Sequence, residues 1–355
     1  MLRNISARRA FPLLALAVVV LCPRAGATTW RVANNGVDSP TCGTTADPCR
    51  SITQAIANAS DGDRIVVGPG TYGDLNSDGI LGNSPGEENS GVIGCMVCVN
   101  KSVTLISSDG AAETVIDARD VPNLSENVAI TADNVKFGAA GQGFTVTNVL
   151  TLPDQENPTF GVTTSSDQVI IRGNRVMVEH SQGTITFIGI SAANFPVNDN
   201  TVLIEGNQVM GWEQGIAAAG VNITVRQNTV QFNGLGLAIG PGTAKGNVAT
   251  DNFIGIQTYD ITAIVKENAI LGNGTGILAP VNGTIQNNNI FGNGCGLDVA
   301  AFPAPTQVTA TNNYWGAATG PGPAPANGVC GAEASVAVVI PFATHPFTVT
   351  LTGTP

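Results

Sequence analysis

From about residue 165 the chain alternates short apolar runs with asparagine and glycine on a fixed beat. Aligned on one asparagine, the segments read VIIRGNRVM (Asn174), VLIEGNQVM (Asn207), ITVRQNTVQ (Asn228), TAKGNVATD (Asn247), AIVKENAIL (Asn268) and TIQNNNIFG (Asn288). The spacings are 33, 21, 19, 21 and 20 residues, one unit of about twenty with a single insertion. Three before the asparagine the residue is always apolar (Ile171, Ile204, Val225, Ala244, Val265, Ile285). Two after it the same holds (Val176, Val209, Val230, Ala249, Ile270, Ile290). Five after it stand Glu179 and Trp212, then Asn233, Asn252, Asn273 and Asn293. No stretch here keeps a 3.6-residue period for three turns, which excludes an α-solenoid. A unit this short cannot bury a core alone, so copies must stack. Short strands broken at Asn and Gly corners describe an all-β fold, a single-stranded parallel β-helix. Each corner Asn tolerates the left-handed region and can bond to its equivalent one coil away.

Upstream segments share this texture less regularly: SVTLISSDG, ETVIDARD, VAITADNVKF and GFTVTNV. The exception is SITQAIANA, where Ile52, Ala55, Ile56 and Ala59 keep helical spacing. A short capping helix there would cover the open end of the first coil and keep its edge from pairing with another chain. Ile65-Val66-Val67 begins the first strand. The expected organisation is an N-terminal cap over residues 28–63, regular repeats over about 165–316 and closing strands over about 335–355.

Residues 1–27 read as a secretory leader. Arg3, Arg8 and Arg9 precede the apolar run FPLLALAVVVL, and Ala25-Gly26-Ala27 offers a small-residue cleavage site. The run is too short to span a bilayer as an ordinary helix. The whole chain carries 15 basic and 26 acidic residues, and the leader holds Arg3, Arg8, Arg9 and Arg24 but no acid, so the exported part is more acidic still. That balance argues against nucleic acid and against anionic membrane as partners. Six cysteines lie beyond the leader: Cys42, Cys49, Cys95, Cys98, Cys295 and Cys330. An even count in an exported chain reads as disulfides. The economical pairing joins sequence neighbours, Cys42–Cys49, Cys95–Cys98 and Cys295–Cys330, among about fifteen possible connectivities. Cys95-Met96-Val97-Cys98 also has the spacing of a redox or metal motif, but only His180 and His345 could assist a metal. The chain is expected to be secreted, periplasmic or displayed at a cell surface, and to be a monomer.

Two stretches resemble a known family. The opening TWRVANNGVDSPTCGTTADPCRSITQAIANASDGDRIVVGPGTY is similar to the cap and first coil of bacterial secreted right-handed parallel β-helix proteins of the pectin-lyase-like superfamily. Asn313-Tyr314-Trp315-Gly316, with Gly320-Pro321-Gly322-Pro323 after it, is similar to their NWWG…GP ending. The resemblance implies a right-handed β-helix and leaves activity open, since the superfamily spans lyases, hydrolases and adhesins.

Hydrolases of the superfamily pair carboxylates across the scissile bond. Their N-T-D, D-D, G-H-G and R-I-K motifs are not found intact, and His180-Ser181-Gln182-Gly183 is the nearest fragment. No catalytic residue is therefore assigned. A lyase of the superfamily would use calcium and an Arg or Lys base, which points to Arg226, Lys245 or Lys266. Two before each repeat asparagine come Arg172, Glu205, Arg226, Lys245, Lys266 and Gln286, a position that alternation sends outward. Such a ladder can grip an anionic polysaccharide or cell-surface glycan through charge-assisted hydrogen bonds. It can equally be a solvated face on which Glu205 pairs Arg172 and Arg226. Trp212 and Tyr259, with Phe232, are candidate sugar-stacking platforms.

The run Gly73-Asp74-Leu75-Asn76-Ser77-Asp78-Gly79-Ile80 alternates oxygen donors before a glycine, as calcium loops do. The twelfth position, Pro85, cannot serve as the bidentate Glu of an EF-hand. The expected ion is Ca2+, held by Asp74, Asn76, Asp78 and the Ile80 carbonyl, with Glu87 or Glu88 closing the shell. A solvated Asx-turn is the alternative.

Overall fold

The computed structural model describes residues 26–92, 94–119, 121, 124–150, 159–181, 187–193, 200–280, 282–299, 307–351 and 355. The expected leader lies almost wholly outside them. The chain winds through three all-parallel sheets, and each strand in a sheet pairs with the one contributed by the next coil. Among the described residues sheet A has twelve strands, running from Thr29–Val32 through Arg64–Val67 and the repeats to Ala337–Val338. Sheet B has nine, from Gly70–Gly73 to Asn289–Phe291, and sheet C ten, from Cys95–Val99 to Val329–Cys330. At about 4.8 Å per coil, sheet A extends roughly 50 Å.

The columns seen in the sequence become columns in space. Ile171, Ile204, Val225, Ala244 and Val265 stack in register on sheet A, and all are fully buried. The corner asparagines form a continuous buried ladder. Asn228 donates from its backbone N and from Nδ2 to Asn247 Oδ1, each at 3.0 Å. The same pair of bonds links Asn174, Asn207, Asn228, Asn247, Asn268 and Asn288 in sequence, and Asn313 ends the run. A second ladder of the same kind runs through Asn233, Asn252, Asn273, Asn293 and Asn327 at the corner between sheets B and C.

One detail corrects the expectation. The left-handed residue is not the ladder asparagine but the one before it: Gln227, Glu267 and Asn287 at φ near 56–59°, and Gly173, Gly206 and Gly246 in other coils. The sharp bend thus falls one residue early and leaves the asparagine to aim its amide along the axis. Glycine meets this φ without strain, whereas Gln227 and Glu267 cost about 1–2 kcal/mol each.

The capping helix is present over Ile52–Asn58, its N-cap Ser51 accepting from Gln54 N and its Ile52, Ala55 and Ile56 buried against the first coil. The disulfides Cys42–Cys49, Cys95–Cys98 and Cys295–Cys330 are formed. They fit an oxidising compartment. Among the described residues no helix is long and apolar enough to cross a membrane.

Ala337–Val338 adds a strand to sheet A, but residues 344–351 pair with no strand. Pro341 and Pro346 lack the N–H that a ladder needs. The segment instead lies as a strap across earlier coils. Phe347 is clamped by Asn289, giving its N to Oδ1 and taking Nδ2 at its carbonyl, both at 2.8 Å. Farther on, Gln227 reaches the Thr350 carbonyl.

Candidate functional site: the outer face of sheet A

Alternation along four-residue strands leaves two outward positions per strand. On sheet A these positions collect cations. Arg31, Arg64, Lys136, Arg172, Arg226, Lys245 and Lys266 all lie on its strands. These seven belong to a chain that has 15 basic residues in all, four of them in the expected leader. Among the described residues the sole acid on the sheet A strands is Glu205. A protein of net charge −11 therefore presents one cationic sheet face.

Register pairing places Arg172 beside Glu205, Glu205 beside Arg226, Arg226 beside Lys245, and Lys245 beside Lys266. Glu205, itself buried, bridges the guanidinium groups of Arg172 and Arg226, the latter at 2.8 Å. Lys245 pairs with Glu267 at 3.1 Å, where both groups are nearly half exposed, so this contact adds little stability. Among the described residues Arg31, Arg64, Lys136 and Lys266 make no ion pair. The upper half of the repeat ladder is thus ion-paired, three cations sharing two carboxylates, and the cations without an ion pair lie on either side of it.

Two grooves run over this face. One, of about 460 Å3, has Glu205, Arg226, Lys245 and Glu267 along its floor and the strap residues Thr348, Val349 and Thr350 as a wall. The other, of about 760 Å3, lies over earlier coils around Thr104, Lys136, Ile170 and Leu203.

The remaining expected residues do not gather here. Trp212 is buried to 1% exposure, so it is no sugar platform. Its indole N–H donates to the Val176 carbonyl at 3.2 Å. The ring fills space left by Gly161 and Gly189 in sheet C, while its backbone N caps the second ladder at Asn233 Oδ1. Its place in the aligned asparagine column already pointed inward. Tyr259 is 51% exposed, and burial of the rest pushes its phenol above the ordinary value. It precedes the strand Ala263–Lys266, whereas Lys266 closes it, so the two stand at opposite corners of the sheet. The fragment around His180 lies outside the described side chains.

The 74–80 segment is an insertion from the first coil of sheet B, closed at its base where Glu88 N donates to the Gly73 carbonyl. Asp74 accepts from Ser77 N and Gly79 N, Asn76 from Asp78 N, and Asp78 from Ile80 N. Glu88 is not a metal ligand in this arrangement. It is fully buried, and its two oxygens accept from Ile52 N, Thr53 N and Thr53 Oγ1 at 2.6–2.8 Å. It is instead a remote cap on the helix N-terminus. Glu87, 4% exposed, accepts from Asn83 N and Ser84 N through one oxygen, while its Oε1 has no hydrogen-bond partner. Among the described residues the acidic side chains of the insertion do not converge into a three-ligand cluster. Asp38 with Cys42 and Cys49 does, and those thiols are spent in a disulfide.

Arg31, Arg64 and Lys136 escaped the sequence reading because the first coils differ in length from the repeat. The signal was present, since each cation adjoins an inward apolar residue (Trp30, Ile65, Phe137) at strand spacing.

No family model matches the chain, and no curated protein matches it. Among solved structures it is similar to a rhamnogalacturonan lyase, with 12% identity over 90% of this chain and 89% of that one and a TM-score of 0.47. It is similar to XylC in complex with xylose, with 12% identity, coverage of 90% and 70%, and a TM-score of 0.48. The A-module of mannuronan C-5 epimerase AlgE6 from Azotobacter vinelandii gives 15% identity, coverage of 84% and 96%, and a TM-score of 0.44. The parallel β-helix itself is read from the three sheets and their strand order.

Proposed function

We propose that this is an exported β-helix protein that holds an extended anionic polysaccharide along the outer face of sheet A, without catalysis. The observation that supports it is the segregation of seven cations onto one sheet of an acidic protein. A predominantly cationic face of this kind steers an oppositely charged chain and grips it through charge-assisted hydrogen bonds. Asp133 and Asp167, at the corner before their sheet A strands, accept backbone amides of the next coil. The two carboxylates of the repeat ladder, Glu205 and Glu267, each hold a cation. They also lie three coils apart, about 14 Å at the backbone. Glycosidase pairs are spaced at roughly 5–9.5 Å.

The test is titration with a panel of acidic polysaccharides and their neutral counterparts, with ultraviolet absorbance followed for unsaturated uronate. An acidic glycan should bind and yield no product. Lys245→Ala with Lys266→Ala should weaken it about tenfold, equivalent to ~1.4 kcal/mol. Product formation would convert the reading to a polysaccharide lyase, and absence of any binding would leave a structural or adhesive surface protein.

In this reading calcium is a structural pin for the insertion, through Asp74, Asn76, Asp78, the Ile80 carbonyl and Glu87. The buried, unpartnered Glu87 Oε1 supports it. Chelation should lower the melting temperature of the wild type and leave Asp78→Ala unmoved. Equal melting of the wild type with and without chelator would remove calcium from the account.

A further inference from the structure

Asp63 closes the turn that follows the capping helix and is buried to 7% exposure. Its Oδ1 accepts from Thr28 N at 2.7 Å. Its Oδ2 accepts from Ser60 N at 2.8 Å and from the Trp30 indole N–H at 2.9 Å. Burial pushes this carboxyl up, but the bonds from Trp30, Ser60 and Thr28 outweigh it and hold the group below its ordinary value. Among the described residues Asp63 makes no ion pair. Lys101 lends it charge only from a distance, since that ammonium is bonded to the Ala57 and Ala59 carbonyls. The carboxylate is thus a shielded anion whose three direct donors are neutral in the uncut chain. Such a group gains most from a cation placed on one of its existing bonds.

The Thr28 carbonyl accepts from Arg64 N at 2.8 Å, in line with the pairing of Thr29–Val32 on Arg64–Val67. The residue is therefore held on both sides, by the ladder and by Asp63. Gly26 and Ala27 before it are exposed, in an open cleft of about 720 Å3 lined by Trp30 and residues 60–63. The small-residue site Ala25-Gly26-Ala27 ends at the Ala27–Thr28 bond. Two independent observations thus fall on one bond: the leader stops where the contacts of the first coil begin. Hydrolysis there gives the hydroxyl of water to the Ala27 carbonyl carbon and a hydrogen to the Thr28 nitrogen. The freed amine takes up a proton below its value of about 8 and becomes an ammonium. Thr28 is exposed, so the other N–H groups of that ammonium reach water and only one is committed to Asp63.

We infer that Asp63 is the acceptor site for the α-ammonium of the processed chain, so that removal of the leader completes the N-terminal cap. The inference rests on the export reading and is independent of what the sheet A face binds. The ion pair ties the pieces of the cap together. Trp30 lies on the first strand of sheet A and packs against Gly43, beside the Cys42–Cys49 disulfide, while Ser60 follows the helix. A chain that keeps its leader presents a neutral amide to Asp63, and its first coil opens more readily.

The test starts from the exported chain, whose first residue, read by mass spectrometry, should be Thr28. Amide hydrogen exchange is then compared between this chain and one extended by Gly26-Ala27, each as wild type and as Asp63→Asn. In the wild type, exchange over Thr29–Val32 and Arg64–Val67 should be about tenfold slower in the processed chain, equivalent to ~1.4 kcal/mol. In Asp63→Asn the processed and extended chains should exchange alike, because a carboxamide offers the ammonium no charge. The strand Val202–Glu205, far from the cap, should exchange equally in all four. Equal exchange of the processed and extended wild type would overturn the inference, and that comparison does not depend on the variant folding. A processed-chain advantage that persists in Asp63→Asn would assign the gain to loss of the dipeptide and overturn it too. A first residue other than Thr28 would do the same. A chain that keeps its leader and is never exported would remove the export reading as well.

Discussion

Replacing Asn247 by alanine is expected to destabilise the protein by about 4 kcal/mol, through several buried polar groups left without partners at once. Asn247 is fully buried in the middle of the first ladder. Its Oδ1 accepts from both Asn228 N and Asn228 Nδ2, and its Nδ2 donates to the Val225 carbonyl and to Asn268 Oδ1. Alanine keeps none of these bonds and opens a cavity where no water-exposed group can compensate. Each orphaned buried group costs about 1–3 kcal/mol, and the sum is tempered by relaxation of neighbouring coils. For a chain of this size the melting temperature should fall by roughly 6 °C. Thr243→Ala, an outward and half-buried change in the same coil, should stay within about 0.5 kcal/mol of the wild type. A guanidinium midpoint for Asn247→Ala indistinguishable from that of Thr243→Ala would mean that apolar stacking alone carries the solenoid.

Glu88→Ala should cost about 3 kcal/mol or more, because three donors of the capping helix lose their acceptor inside the protein. The damage should be local first. The Glu88 side chain also ties the end of the 74–87 insertion to the helix, so that segment should become the earliest site of limited proteolysis. The pH dependence has a definite sign. Burial pushes the Glu88 carboxyl above its ordinary value, against the hydrogen bonds from Thr53 and Ile52 that pull it down. A carboxyl raised in the folded state contributes stability that is complete below its unfolded value, near 4.5, and is lost as pH rises through the folded value. The wild type should therefore gain stability relative to Glu88→Gln as pH falls toward that range. A wild-type-minus-variant difference that does not change with pH would show that Glu88 does not titrate above its ordinary range.

The regular half of this protein was legible because its physics repeats. A column of β-branched residues and a column of asparagines at one spacing have few physical realisations, and the second ladder stood in the same alignment. Asn313 and Asn327 were hidden by loops that lengthen the last spacings to 25 and 34 residues. What depended on distant partners was not legible. Glu88 looked like a calcium ligand because the helix it caps lies 36 residues earlier. Trp212 looked like a platform because aromatic residues serve both roles, and only the glycines facing it in the fold decide between them. The cationic face was half seen. Four of its members lie on the repeat, whereas Arg31, Arg64 and Lys136 join them only once unequal coils are brought into register.

The central claim is that an anionic glycan lies along the outer face of sheet A, and the lysines of this chain allow a direct measurement. There are four: Lys136, Lys245 and Lys266 on that face, and Lys101 off it, donating to the Ala57 and Ala59 carbonyls at the end of the capping helix. Acetylation footprinting read by mass spectrometry, with and without an oligouronate, compares them within one sample. Protection of Lys136, Lys245 and Lys266 with Lys101 unchanged is the expected result. Equal labelling of all four in the presence of bound glycan would place the ligand elsewhere and contradict the account.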